Sequence, residues 1–243
     1  LVGSEMCIRD RFGTLIWLAF FEKERNNFTQ RDWFKVMKFY DCKTAPSPRR
    51  VRIFIAEKNI DVETIDIDLK NGEQLSPEFK KINPNCTVPV LSFDNGDTLT
   101  STAGIRSYLE AKYPDIPLMG RTDYEKGKIA DLQWRIEMEG LMAMSEALRN
   151  SAPRMAGRAL TGPFNYEQIP ALAERGKQRV KRFLEGVEKL LGSNQFVAGD
   201  IYSVADIDLL VVIDFANWIK LELPDSAKNA KRWYEAVSQR PSA

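Results

Sequence analysis

Histidine is missing altogether from the 243 residues. Ser-His-Asp and Cys-His hydrolysis, HExxH metalloproteolysis and histidine-dependent zinc sites are therefore excluded, because each needs an imidazole. Cysteine is scarce. Cys7, Cys42 and Cys86 lie far apart with no CxxC pair, so no secreted disulfide framework and no thiolate metal site is expected, and a reduced, cytoplasmic setting is. Neither charge sign is in excess: Lys plus Arg is 35 and Asp plus Glu is 34, a net of +1, which leaves no nucleic-acid footprint in the bulk charge. The compact Arg49-Arg50-Val51-Arg52 cluster points in several directions around a helix, toward ligand, domain and solvent, and implies no nucleic-acid partner. No GxGxxG follows the first strand, which argues against a dinucleotide site. A long apolar run is absent too. Residues 15–21 form an apolar stretch far short of the ~20 residues that cross a bilayer. The Glu22-Lys23-Glu24-Arg25 run after it replaces the small-residue cleavage site of a signal peptide.

The residues present are 44% hydrophobic, an ordinary globular composition, and they divide by texture. Residues 1–36 add no periodic element that the rest needs and are expected to be a dispensable upstream extension, although Trp17, Phe20, Phe21, Trp33 and Phe34 could cover a sheet edge. Residues 37–119 alternate between strand-like and helical runs. Strands are expected at 38–40, 64–68, 88–93 and 98–100, and helices at 49–58 and 102–112. Asp94-Asn95-Gly96-Asp97 supplies a hairpin turn, since Asn and Gly accept φ > 0. The order implies a small mixed sheet with helices packed across it. Over residues 120–243 strand signals cease, and helices are expected at 123–150, 171–191, 203–220 and 226–239.

The helix opening at Ser203 carries the strongest local signal. Ser203 and Asp206 have the spacing of a capping box. Ala205, Leu209, Val212 and Ala216 recur at helical intervals, with Leu210, Val211 and Ile213 widening the stripe, so this helix should run through the core of the second domain. Asp214 interrupts the stripe and should meet a solvent edge or an arginine.

Three segments together resemble the cytosolic glutathione transferases: YDCKTAPSPRRVRIFIAEK at 40–58, NPNCTVPVLSFDNGDTLTSTAGIRSYL at 83–109 and VAGDIYSVADID at 197–208. The chain looks most like an atypical bacterial and fungal subgroup without a conventional catalytic Tyr, Ser or Cys. The resemblance implies an α/β thioredoxin-like N-terminal domain that binds glutathione, followed by an all-α helical-bundle domain contributing the electrophile site. It also implies a homodimer that conjugates glutathione to small apolar electrophiles, with detoxification as its context and no metal.

By the same resemblance, Thr87, Val88 and Pro89 hold glutathione. Pro89 should be cis, a form that costs only ~0.5–1 kcal/mol before proline, and Val88 should offer its backbone N–H and C=O to the cysteinyl part. Ser101 and Thr102, at the start of a helix, should bind the γ-glutamyl carboxylate. Ser101 departs from the usual Glu or Gln, and Cys86 stands where many relatives have Gly. Lys70, or alternatively Arg52, is the candidate for the glycyl carboxylate.

The nucleophile must be a thiolate, and an unperturbed thiol has pKa ~8.5. Hydrogen bonds and a helix N-terminus must lower it here. Ser47, between Pro46 and Pro48, is placed either to face the sulfur or to cap the helix, and Thr44 is the alternative hydroxyl. Tyr40 should point into the core. The subgroup resemblance adds a water-mediated route through Ser145. Its usual histidine companion is absent, and Arg135, Glu139 or Arg149 stand as possible substitutes. Trp134, Met138, Leu141 and Ser145 should share one helix face, and Trp134, Met138, Met142 and Met144 are candidates for an adaptable apolar pocket. Cys42 opens the alternative of glutathione-dependent thiol transfer or mixed-disulfide reduction. A glutathione-binding module with little activity is a further alternative.

Overall fold

The computed structural model describes residues 36–243. The expectations for residues 1–35 lie outside the described residues. Four strands form one sheet in the order β2-β1-β3-β4: β1 (Met37–Asp41), β2 (Glu63–Asp66), β3 (Val90–Phe93) and β4 (Thr98–Leu99). β2 runs parallel to β1, while β3 runs antiparallel to both β1 and β4. Helices α1 (Pro46–Glu57), α2 (Pro77–Ile82) and α3 (Thr102–Lys112) complete this layer. It is the mixed sheet with packed helices expected from the alternating texture, and the thioredoxin-like domain that the resemblance implies.

Register decides where the loops fall. Tyr40 near the end of β1 pairs with Val90 at the start of β3, and Leu99 at the end of β4 pairs with Leu91. The segments entering α1, β3 and α3 therefore emerge at one end of the sheet, and so does the turn after the parallel strand β2.

Beyond Asp123 the described residues are helical or irregular: α4 (Asp123–Arg135), a π-helical segment (Ile136–Leu141), α5 (Met142–Arg149), α6 (Pro170–Leu191), α7 (Val204–Ala216) and α8 (Lys228–Ser238). α7 is buried at every position except Asp214, as a helix apolar all round must be. Its capping box is formed as expected. Ala205 N donates to Ser203 Oγ at 3.2 Å, and Ser203 N donates to Asp206 Oδ2 at 3.0 Å. Asp214 finds its arginine in Arg49 at 2.7 Å, a link from α7 to α1. Where α5 crosses α6, a Cβ on Gly176 would lie 2.5 Å from Ala147 N and 2.9 Å from Ala143 O, so only glycine admits this approach.

Several boundaries differ from expectation for physical reasons. α1 begins at Pro46 rather than Arg49, because first-turn amides have no intrahelical acceptor and prolines there forfeit nothing. β3 begins at Val90, after the proline turn, rather than at Val88. α2 was not among the helices expected from the sequence; its Ser76 N-cap accepts from Phe79 N at 3.1 Å. The helix expected over 203–220 stops at Ala216 and tightens into a 3-10 turn, Asn217–Ile219, ending on Lys220 at φ 60°. The helix expected over 123–150 carries a π segment in its middle. A π turn inserts about one residue, which rotates the downstream helix by about 100°. Leu141 is accordingly buried while Trp134 is 66% exposed, so the four residues expected on one face do not share one.

Candidate functional site

The end of the sheet where the loops gather holds most of the expected binding residues. Val88–Pro89 is a cis peptide. The β1–β3 ladder ends at Tyr40 and Val90, so the Val88 amide and carbonyl stand outside it. Asn83, fully buried, pins this turn. Its Nδ2 donates to Thr87 O at 2.8 Å and Thr87 Oγ1 at 3.0 Å, and its Oδ1 accepts from Asn85 N at 3.0 Å. Sequence alone shows Asn83 as part of a motif and gives it no role. Cys86 has φ 55°, a conformation that glycine adopts without strain, which explains physically why glycine suits this position.

Two helix N-termini meet beside the turn. Thr102, buried at the start of α3, donates from Oγ1 to Ser47 O in α1 at 3.4 Å. Ser101 is the N-cap of α3, accepting from Gly104 N at 3.0 Å, and is exposed. Ser47 is not a cap. Ala45 is the N-cap of α1, without a side-chain bond, and Ser47 is the second helical residue, flanked by Pro46 and Pro48. Proline lacks an N–H, so among these three only Ser47 supplies a first-turn amide. Thr44, exposed in the preceding loop, has its Oγ1 3.5 Å from Cys42 Sγ. Cys42 itself is 6% exposed.

Buried charge locks this corner to the helical layer. Arg106 of α3 grips Asp208 of α7 with Nη1–Oδ1 at 2.6 Å and Nη2–Oδ2 at 3.0 Å. Arg50 of α1 lies 3.6 Å from the same carboxylate, donates to Glu137 of the π segment at 2.5 Å and reaches Ser47 Oγ at 3.5 Å. No motif disclosed these partners, because residues far apart in the chain pair only in space. Arg52 is held by Asp41 at 2.6 and 2.7 Å and braces α1 against β1. Lys70 is exposed in the turn after β2 and makes no ion pair among the described residues.

The remaining expected residues are dispersed. Ser145 is half-buried in α5, eight residues beyond Glu137 and so about 12 Å further along the axis at ~1.5 Å per residue. Arg135 pairs with Glu139, and Arg149 spends its donors on the carbonyls of Arg158, Ala159 and Leu160. Met144 is fully buried and belongs to the core rather than to a pocket wall, whereas Met138 and Met142 are exposed. Tyr40 is 9% exposed and packs edge-on against Phe79 at 6.1 Å, inside the core as expected.

Residues 44–112 match the family model of the glutathione S-transferase N-terminal domain, and residues 146–241 match that of the C-terminal domain. Glutathione S-transferase 2 of Saccharomyces cerevisiae is 34% identical over 211 residues, 85% of this chain and 87% of that protein. The chain belongs to the glutathione S-transferase family. The crystal structure of Gtt2 from Saccharomyces cerevisiae superposes with a TM-score of 0.76 at 32% identity, covering 84% of this chain and 97% of that one. That of a class Gtt2 glutathione S-transferase of Vibrio parahaemolyticus gives 0.71 at 31%, covering 84% and 94%. As a member of this family, the protein conjugates glutathione to small electrophiles. Among the described residues no helix is long and apolar enough to cross a membrane, and no cluster of His, Cys, Asp and Glu could hold a metal.

Proposed function

We propose that glutathione lies along the Val88 backbone, with its γ-glutamyl carboxylate at the N-terminus of α3 and its sulfur at the N-terminus of α1. The carboxylate is received by Thr102 and Ser101, where free amides and the helix dipole favour an anion. Lys70 supplies a cation for the glycyl carboxylate, and Thr87 shapes the turn. The sulfur is held as a thiolate by the Ser47 amide and hydroxyl, with Thr44 adjoining, and the base is solvent rather than imidazole. The observation that carries this reading is the 3.4 Å hydrogen bond from Thr102 to Ser47 O, which sets two helix N-termini side by side at the cis-proline turn. Burial of Cys42 weighs against thiol transfer as the main reaction.

This arrangement fits the subgroup without a conventional catalytic Tyr, Ser or Cys. Tyr40 is committed to the core, and Ser47 acts within a helix turn rather than as a cap. Ser145, about 12 Å along the axis from Glu137, is the second candidate and reaches the thiol only through water. The chain works in the cytoplasm as a homodimer, and the exposed Trp134, Met138 and Met142 offer apolar surface to such an interface. Residues 37–119 and 120–243 form the two domains, and residues 1–36 are dispensable.

The test is the thiolate absorbance of bound glutathione as a function of pH in wild type, Ser47→Ala and Ser145→Ala. A hydrogen bond to a charged group contributes about 1.5–3 kcal/mol, so loss of the activating hydroxyl raises the bound thiol's pKa by about 1–2 units. Ser47→Ala is expected to show this shift. An unchanged thiolate titration in both variants rejects both assignments.

A further inference from the structure

The loop between α5 and α6 reaches back across the protein to the glutathione turn. A methyl carbon placed on Gly162 would sit 3.7 Å from the Asn85 carbonyl oxygen, and Asn85 precedes Val88 by three residues. The loop is firmly built for an exposed segment. Arg149 donates to Ala159 O at 3.2 Å, Arg158 O at 2.6 Å and Leu160 O at 3.0 Å. Arg158 in turn donates to Gly162 O at 2.8 Å, and Tyr166 exchanges backbone bonds with Gly157 and Ala159. Gln168 closes the base by donating to Arg149 O and Ala152 O, both at 2.8 Å. On either side of Gly162, this braced loop presents two large apolar side chains to solvent, Leu160 at 55% and Phe164 at 68% exposure.

Exposed apolar side chains held on a braced loop beside a ligand site can wall an apolar ligand, and the reaction supplies one. Conjugation requires an uncharged carbon electrophile to lie against the thiolate, and its apolar body must be taken out of water. We infer that Leu160 and Phe164 form a wall of the electrophile site and set its preference for larger apolar substrates. This rests on the glutathione pose proposed above. The helix methionines are not required for that preference. Met144 is sealed in the core, whereas the loop meets the turn at Gly162 and Asn85 with Leu160 and Phe164 two residues to either side.

The test compares wild type, Phe164→Ala, Leu160→Ala and the control Tyr124→Ala, an exposed residue at the start of α4. Activity is measured with glutathione and a series of alkyl and benzyl halides of increasing size, and the glutathione Kd is measured in parallel by calorimetry. Both loop variants are expected to keep the wild-type glutathione Kd. Each should raise KM for the largest electrophile about tenfold, as loss of apolar pocket contacts does, and should flatten the dependence of kcat/KM on substrate size. Tyr124→Ala should match wild type. If wild type conjugates the series and both loop variants retain its size dependence, the inference fails alone. If wild type binds no glutathione, the inference falls together with the reading beneath it.

Discussion

Asp208→Asn probes the joint between the two layers most sharply. The Asp208 carboxylate is 2% exposed, the Arg106 side chain 3% and the Arg50 side chain 4%. The amide keeps the shape of the carboxylate, removes its charge and turns an NH2 toward one guanidinium. Arg106 loses its bidentate partner, while Arg50 retains Glu137. The Nε atoms of both arginines already lack a hydrogen-bond partner, and among the described residues Arg106, unlike Arg50, has no second acceptor to fall back on. Breaking a buried pair from one side costs about 3–5 kcal/mol. At a urea slope of roughly 2–3 kcal/mol per molar, the unfolding midpoint should fall by about 1–2 M. Glutathione affinity should fall with it, because the same carboxylate anchors α3 and faces Arg50 of α1, whose N-termini form the proposed site. The reference is Arg175→Ala. Its side chain is 63% exposed in its pair with Glu146, so it should cost under ~1 kcal/mol. Equal midpoint shifts in the two variants would refute the argument that burial sets the value of these pairs.

Gly176→Ala should destabilise the bundle by about 1–3 kcal/mol or more, since the new methyl meets backbone at 2.5 Å; a thermal midpoint at or above that of wild type contradicts the close crossing. Burial pushes the Asp206 carboxyl up to about 6, against hydrogen bonds from Val197 N, Trp233 Nε1 and Ser203. A raised carboxyl pKa adds stability below the unfolded value of 3.8 and loses it as pH rises through about 6. Relative to Asp206→Asn, wild type should therefore lose about 2–3 kcal/mol between pH 4 and pH 7, and a constant difference in urea unfolding across that range would rule this out.

The parts of the fold legible in the sequence were those written locally. The capping box at Ser203 and the apolar surround of α7 announced both the helix and its burial, and the Val88–Pro89 pair carried its turn within a recognisable motif. What escaped depends on geometry that no short window holds. The start of α1 was placed at Arg49 rather than Pro46, although prolines in a first turn forfeit no hydrogen bond. The π segment changed which side chains share a face, and so sent Leu141 inward. The Arg50, Arg106, Glu137 and Asp208 cluster joins four separate elements. Asn83 was visible as a letter in a motif, but its grip on Thr87 exists only once the loop has closed. The contact of Gly162 with Asn85 likewise links two loops that nothing in the sequence associates.

The most direct measurement is calorimetric titration of reduced glutathione into the wild-type protein and Thr102→Val, which keeps the side-chain shape and removes the hydroxyl. Saturable uptake by wild type, weakened several-fold in the variant because the Thr102–Ser47 tie between the two helix N-termini is lost, a neutral hydrogen bond of about 0.5–1.5 kcal/mol, is the predicted result. Equal affinity in both proteins, or no heat of binding in wild type, would contradict the placement of the tripeptide at the paired helix N-termini.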